Sequence, residues 1–271
     1  MLTPHHTLRV AVLCSHRAPG LLYLLNQSPD RGAAFEIVGC VTDQATFAEE
    51  VRVERRGIPT CAHPIDAFYR ARGAAGCGDM ALRAAYDEET LQIVEPWFPD
   101  VLVLDGYLHL VTRRILDRFR NRVLNLHFSD LALRTPLGGP LHPGIRAVRD
   151  ALLAGASETR ATVHLVDAEP DAGPPIVRSW PFPVSPLVED LRTQQRPDAF
   201  KAYAFAHEQW MMRTASGPLI AAALRLIAAR AIDLDALASA GPCTGAAWLL
   251  ERHGFLLAPE AETATAPAGR S

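Results

Sequence analysis

The most restrictive feature of this sequence is a set of short, almost wholly apolar runs separated by segments of helical character. Residues 101–104 read Val-Leu-Val-Leu, and residues 8–14, 35–41 and 123–126 are similar runs. A strand without polar alternation is buried on both faces, as in parallel sheets covered by helices. Because these runs alternate with helical segments, the sequence predicts an α/β fold, a Rossmann-like open, mostly parallel twisted sheet with helices on both faces.

Local patterns predict the remaining elements. The predicted helices lie at 21–25, 46–56, 82–98, 111–119, 145–154 and 198–230, and the later strands at 161–166 and 176–182, with a polar connection at 183–197. Gly217-Pro218 predicts a break or kink in the last helix, because proline has no N–H for the helical ladder.

Composition limits the partners and compartments that fit the chain. A net charge of −3 gives no general attraction to nucleic acid or membranes, and the N-terminus is too polar for a signal peptide. The five cysteines include no CxxC pair, which favours a reduced, cytoplasmic setting. We expect a flexible N-terminus at 1–7, a main domain at 8–230, a C-terminal extension packed on it at 231–259, and a disordered tail at 260–271.

Two polar residues mark the end of the run at 123–126. Asn125 and His127 are two residues apart, and side chains at this spacing point to the same side of a strand. Ligands bind at the carboxyl edge of open α/β sheets, so the pair is expected to face a cleft. An amide beside an imidazole can stabilise a carbonyl oxygen that becomes negative. The alternative is that Asn125 caps the strand end and His127 begins a loop.

Three later segments carry a resemblance to a known family. Residues 125–129 (Asn-Leu-His-Phe-Ser), 162–166 (Thr-Val-His-Leu-Val) and 171–174 (Asp-Ala-Gly-Pro) resemble, in this order and spacing, the folate-dependent formyltransferases, most closely the phosphoribosylglycinamide formyltransferases. Taken singly, an Asp/Gly loop such as 171–174 is usually only a turn. The resemblance would make residues 8–230 a formyltransferase domain.

The resemblance implies an enzyme that transfers a formyl group from the co-substrate 10-formyltetrahydrofolate to a primary amine of a small-molecule acceptor, without a metal. Asn125 and His127 would stabilise the oxyanion intermediate, and Asp171 would assist proton transfer. The folate would lie against two loops, whose candidate cofactor-binding residues are Tyr107, Leu108, His109, Leu110, Val166, Asp167, Ala168, Glu169 and Pro170.

The loop after the first strand departs from the family's pattern. In glycinamide ribonucleotide enzymes this loop is rich in Gly, Ser and Asn and holds the substrate phosphate with a helix N-terminus. Here it contains Ser15, Arg17 and Gly20, which remain candidate substrate-binding residues, and Pro19, which lacks an amide donor. The acceptor is therefore expected to be some other amine, with glycinamide ribonucleotide still open.

Two further functions also stay open. The same trio could serve a hydrolase that releases formate from 10-formyltetrahydrofolate, and the divergent loops also fit a non-catalytic folate or nucleotide binder. The expected partner is a small-molecule amine, with neither nucleic acid nor membrane, and a homodimer is compatible with an otherwise open oligomeric state. His207-Glu208 is interpreted as structural, because no second histidine follows at metal-ligand spacing.

Overall fold

A nine-stranded sheet organises the protein, whose computed structural model describes residues 4–15, 18–46, 57–74, 78–241 and 247–259. The strands are β1 (Leu8–Cys14), β2 (Phe35–Thr42), β3 (Thr60–Ala62), β4 (Val101–Leu104), β5 (Val123–His127), β6 (Glu158–Thr159), β7 (Thr162–Leu165), β8 (Pro175–Arg178), β9 (Phe182–Pro183), β10 (Trp248–Leu250) and β11 (Leu256–Leu257). The order in the sheet is β11-β10-β8-β7-β5-β4-β1-β2-β3, and β6 pairs with β9 separately.

Most strands of the large sheet are parallel. β3, β2, β1, β4 and β5 pair in parallel. The antiparallel β7 reverses the chain, so that β8 and its parallel partner β10 run in the direction of β5 again. This arrangement confirms the predicted mostly parallel α/β sheet. It also places Asn125 of β5 opposite Leu104 on one side and His164 on the other.

Helices cover both faces of the sheet. They are α1 (Pro19–Asn26), α2 (Ile65–Ala71), α3 (Met80–Val94), α4 (Arg113–Arg118), α5 (Ala147–Leu153), α6 (Leu187–Thr193), α7 (Pro197–Ala228) and α8 (Leu234–Ala240). Val10 and Val12 of β1 point into a core shared with α1 and α7, whereas Ala11 and Leu13 point into a second core shared with α3 and α4. Both faces of the central strands are therefore buried, which explains their lack of polar alternation.

Two segments differ from the sequence-based expectation. The connection at 183–197 contains α6, whose Val188 is buried and whose first turn carries Glu189 and Asp190, charges that favour a helix N-terminus. The predicted strand at 176–182 is divided, because β8 ends at Arg178 and Phe182 pairs with Thr159 in the small sheet. Both features depend on tertiary contacts that local periodicity does not report.

The long helix α7 continues through Pro218, so the predicted break is absent. Its C-terminal half is buried almost completely against the sheet and α1, and this packing outweighs the hydrogen bond that proline removes. The predicted helix at 46–56 lies outside the described residues from 47 onward.

The C-terminal segment adds strands to the sheet. Trp248 of β10 lies opposite Val177 of β8, and β11 pairs with β10 as an antiparallel edge. Among the residues that the structure describes, no helix combines the length and apolar character needed to cross a bilayer.

Candidate active site

A cavity of about 560 Å³ opens where β4 and β5 end. Its wall combines Asn125, His127 and His164 from the sheet with two loops, 105–113 and 166–171, and with one face of α7. The predicted pair from β5 therefore faces one cleft. This is the position at which open α/β sheets bind ligands.

Asn125 is held by a histidine of the neighbouring strand. Its Nδ2 lies 3.1 Å from Nε2 of His164. An amide nitrogen can only donate, so Nε2 of His164 is the acceptor and its proton is on Nδ1. Nδ1 in turn lies 3.0 Å from the carbonyl oxygen of Leu165, to which it donates. The amide of Asn125 is thereby fixed in orientation, and its second N–H is left to donate to a ligand.

The neutral form of His164 follows from its surroundings. Its side chain is 2% exposed. Burial lowers the pKa of His164 to about 4, although the carboxylate of Asp171 raises it. A neutral ring is what the hydrogen bond from Asn125 requires, so geometry and electrostatics agree.

His127 has acceptor atoms near both ring nitrogens. Nε2 donates to the carbonyl oxygen of His142 at 3.2 Å, and Nδ1 lies 3.5 Å from Oδ1 of Asp171. His127 is 9% exposed and lines the cavity. Contacts at both ring nitrogens therefore set its orientation. Nδ1 faces the carboxylate of Asp171, and Nε2 faces the carbonyl oxygen of His142.

The backbone places Asp171. The residue has a left-handed φ of 55°, and its Oδ2 accepts a hydrogen bond from the amide of Gly144 at 2.7 Å. Two residues later, Gly173 packs so closely on β7 that an added Cβ would lie 1.9 Å from the carbonyl oxygen of Leu165. Only glycine permits this approach. The loop is therefore locked to the strand that carries His164.

A buried ion pair supports the first of the two loops. Arg83 of α3 donates to Asp87 at 2.6 Å and to the hydroxyl of Tyr107 at 2.7 Å, and Asp87 also accepts from the amide of Thr112 at 2.6 Å. Burial raises the pKa of Tyr107 to about 12. The loop is thus tied to α3 at both ends. Between these ties Leu108 and Leu110 are exposed at the cavity.

Most of the candidate cofactor-binding residues reach the cavity. The lining includes Tyr107, Leu108, His109, Leu110, Val166, Asp167, Ala168 and Pro170. Glu169 is exposed and does not line the cavity.

The candidate phosphate-binding residues are arranged differently from the expectation. Ser15 donates to Oδ2 of Asp43 at 2.8 Å and accepts from the amide of Leu108 at 2.9 Å. Gly20 is pressed against α7 and a neighbouring carboxylate, and neither Ser15 nor Gly20 lines the cavity. Arg17 lies outside the described residues.

The cavity also contains residues that the sequence did not single out for it. Glu208, Met212 and Ser216 follow one another at four-residue spacing on the face of α7 that lines the wall. The sequence-based interpretation of Glu208 is structural, and the residue borders the cavity. Asp105 follows β4 directly, a position that could have marked it as a cleft residue. Within the described chain, no group of three or more His, Cys, Asp or Glu side chains could hold a metal ion.

Comparison with known proteins gives this geometry a context. Residues 8–199 match the formyl transferase family. A phosphoribosylglycinamide formyltransferase of Escherichia coli K12 is 34% identical over 97 residues, which are 36% of this chain and 42% of that protein. The Mycobacterium tuberculosis H37Rv protein of the same name is 38% identical over 106 residues, covering 39% and 45%. The aligned stretches thus span less than half of these relatives.

Solved structures resemble the chain over a larger part. Glycinamide ribonucleotide transformylase 1 from Symbiobacterium toebii covers 83% of this chain and 89% of its own, with a TM-score of 0.58 and 26% identity. A formyltetrahydrofolate deformylase from Pseudomonas syringae covers 83% of this chain and 62% of its own, with a TM-score of 0.59 and 20% identity. At 20% identity the second likeness concerns the fold alone.

Proposed function

The chain belongs to the formyl transferase family, and we propose that it transfers the formyl group of 10-formyltetrahydrofolate to a primary amine of a small molecule. The observation that carries the proposal is the cluster of Asn125, His127 and Asp171 at one cavity, with His127 and Asp171 in contact at 3.5 Å. These residues come from a strand end and from a separate loop. Their convergence on one point is what the chemistry of acyl transfer needs.

The cavity wall fits a folate. A pterin is flat, and it can be sandwiched by aliphatic side chains while backbone groups hydrogen-bond along its edge. Leu108, Leu110 and Val166 supply apolar surface, and the tied loop 107–112 and the loop 166–170 supply backbone groups at the same cavity. The bound folate would supply an activated formyl group.

Asn125 and His127 would act as hydrogen-bond donors. When an amine attacks a formyl carbon, negative charge develops on the carbonyl oxygen. The second N–H of Asn125 and the Nε2–H of His127, which is now directed at the carbonyl oxygen of His142, would both donate to that oxygen. Removal of one such donor typically lowers kcat by about 10²–10³.

Asp171 would handle the proton that the attacking amine loses. Its carboxylate contacts His127 and sits at the cavity, so it can stabilise a positive imidazole and accept a proton directly or through water. A positioned acid or base of this kind typically contributes about 10²–10⁴ in rate.

A hydrolytic reaction is the second candidate, because the arrangement of Asn125, His127 and Asp171 at the cavity suits attack by water as well as by an amine. Water would replace the amine, and the same three side chains would act on it. The two candidates differ in one observable, which is whether turnover needs an amine.

The test is release of tetrahydrofolate from 10-formyltetrahydrofolate, followed by absorbance, with no acceptor and with a panel of primary amines. The wild type should require an amine, and Asp171→Asn should lose about 10²-fold or more of kcat. Asp190→Asn, an exposed carboxylate on α6, is the matched control and should keep full activity. Turnover with water alone would identify a hydrolase. Equal rates for Asp171→Asn and Asp190→Asn would show that Asp171 takes no part in the reaction.

A further inference from the structure

The N-terminus of α1 donates a backbone hydrogen bond to a carboxylate of the protein itself. The amide of Leu21 donates to Oδ2 of Asp105 at 2.7 Å, and Asp105 is 1% exposed. A helix N-terminus after the first strand is where a substrate phosphate would bind in such a sheet. Pro19, in the first turn of this helix, has no N–H to offer. Among the described residues, this end of α1 therefore meets an internal anion.

Among the described residues, the surroundings leave no room for a phosphate as long as the carboxylate of Asp105 is in place. A Cβ added at Gly20 would lie 2.5 Å from Ile220 of α7 and 2.9 Å from Oδ2 of Asp105. The first turn of α1 is thus pressed between α7 and the carboxylate. Ser15 makes hydrogen bonds to Asp43 and Leu108, so its hydroxyl is directed away from a ligand as well.

The opposite wall carries a second carboxylate. Glu208 lies on α7 beside Met212 at the cavity, and burial raises the pKa of its carboxyl group. No hydrogen bond or ion pair joins it to another residue of the described chain. A partly desolvated carboxylate without a partner is stabilised by a cation from the ligand.

The charges along the cavity wall also favour a positively charged ligand. Four carboxylates line the cavity, and Arg113 is the one permanent cation in the described part of the wall. The carboxylates are Asp105, Asp167, Asp171 and Glu208. Such a cleft attracts positive ligands and repels a dianionic phosphate.

We propose that the formyl acceptor carries a positive charge separate from the amine that is formylated and has no phosphate group, that Asp105 excludes the phosphate, and that Glu208 binds the separate positive charge. This inference rests on the proposed formyl transfer and narrows its substrate class. It makes Asp105 and Glu208 determinants of specificity that act on binding, separate from the three residues assigned to the chemistry.

Matched acceptor pairs test the role of Asp105. Glucosamine and glucosamine 6-phosphate differ by the phosphate alone, and glycinamide ribonucleotide provides a second phosphorylated amine. The wild type should favour the unphosphorylated member by roughly tenfold or more in kcat/KM. Asp105→Ala, which frees the Leu21 amide, should reduce that preference. Asp105→Asn keeps an oxygen for the amide and separates the effect of charge from that of space. A wild-type preference for the phosphorylated member would overturn the inference.

A shift of charge along α7 tests the role of Glu208. Glu208→Gln should raise KM for cationic acceptors roughly tenfold or more while kcat changes little, since hydrogen bonds to charged groups are the strong ones. The double variant Glu208→Gln, Gln209→Glu restores the net charge one position away and should keep the high KM. Unchanged KM in Glu208→Gln, or recovery in the double variant, would contradict the assignment.

A binding experiment separates this inference from the proposed function. Inorganic phosphate titrated into the folded proteins, as monitored by calorimetry after circular dichroism, should bind Asp105→Ala and not the wild type. Phosphate binding to the wild-type cleft would refute the inference whether or not any turnover is seen. Absence of tetrahydrofolate release with every amine and with water would instead refute the proposed function.

Discussion

The buried imidazole of His164 should make the stability of the protein depend on pH. Its pKa is about 4 in the folded chain because of burial, against 6.5 for an unperturbed histidine. Between these values the unfolded chain binds a proton that the folded chain does not, so the free energy of unfolding falls as the pH falls through this window. At about 1.4 kcal/mol per pH unit, the difference in pKa corresponds to roughly 3 kcal/mol. The loss should be complete below pH 4 and absent above pH 6.5.

Urea unfolding between pH 7 and pH 4 measures this dependence. His164→Gln keeps an oxygen that can accept from Asn125 but cannot titrate, so it should lose about 3 kcal/mol less than the wild type over this range. His253→Gln changes an exposed histidine and should follow the wild type. The other side chains are the same in all three proteins, so most of the remaining pH dependence cancels in the comparison. If His164→Gln and the wild type lose stability in parallel, the reasoning about the neutral, buried ring is wrong.

Three substitutions test the supports of the site. Gly173→Ala would place a methyl carbon 1.9 Å from the carbonyl oxygen of Leu165. We therefore expect the free energy of unfolding in urea to fall by roughly 1–3 kcal/mol, with a matching loss of turnover. Wild-type stability and turnover in this variant would refute the close approach. Arg83→Met should cost about 3–5 kcal/mol, because it leaves the buried carboxylate of Asp87 without its cation, and adding Asp87→Leu should recover much of the loss. Asp79→Ala removes the side chain that caps α3 and should lower the free energy of unfolding by about 1 kcal/mol, whereas Asp79→Asn should stay near the wild type.

The central sheet could be predicted from the sequence because its strands are buried on both faces. The uninterrupted apolar run at Val101–Leu104 has that environment, and such a run has few other uses. α6 could not be found in the same way, because seven residues with a single buried side chain give no periodic signal. The course of α7 through Pro218 is set by packing along its buried half, which outweighs a local preference.

Some residues of the candidate site could likewise be predicted from the sequence, whereas others are brought together only by the fold. Asn125 and His127 follow from the period of a strand and from its position at the sheet edge, and Asp171 from a resemblance in spacing. The contact of Asp105 with α1 joins positions that are 84 residues apart, and no local pattern encodes it. The position of Glu208 at the cavity could not be predicted for a similar reason, because only the packing of α7 on the sheet decides which face of that helix borders the cavity.

The continuity of α7 has a consequence for how acceptors of different length could be accommodated. Glu208, Met212 and Ser216 lie on one face of an unbroken helix, so four residues, a rise of about 6 Å, separate each from the next. Moving the carboxylate from position 208 to 212 or 216 would shift the anionic point of the wall by that step while the sheet and its three reactive side chains stay where they are. Each position of the carboxylate would then favour an acceptor whose reactive amine and positive charge are closer together or farther apart by about one such step.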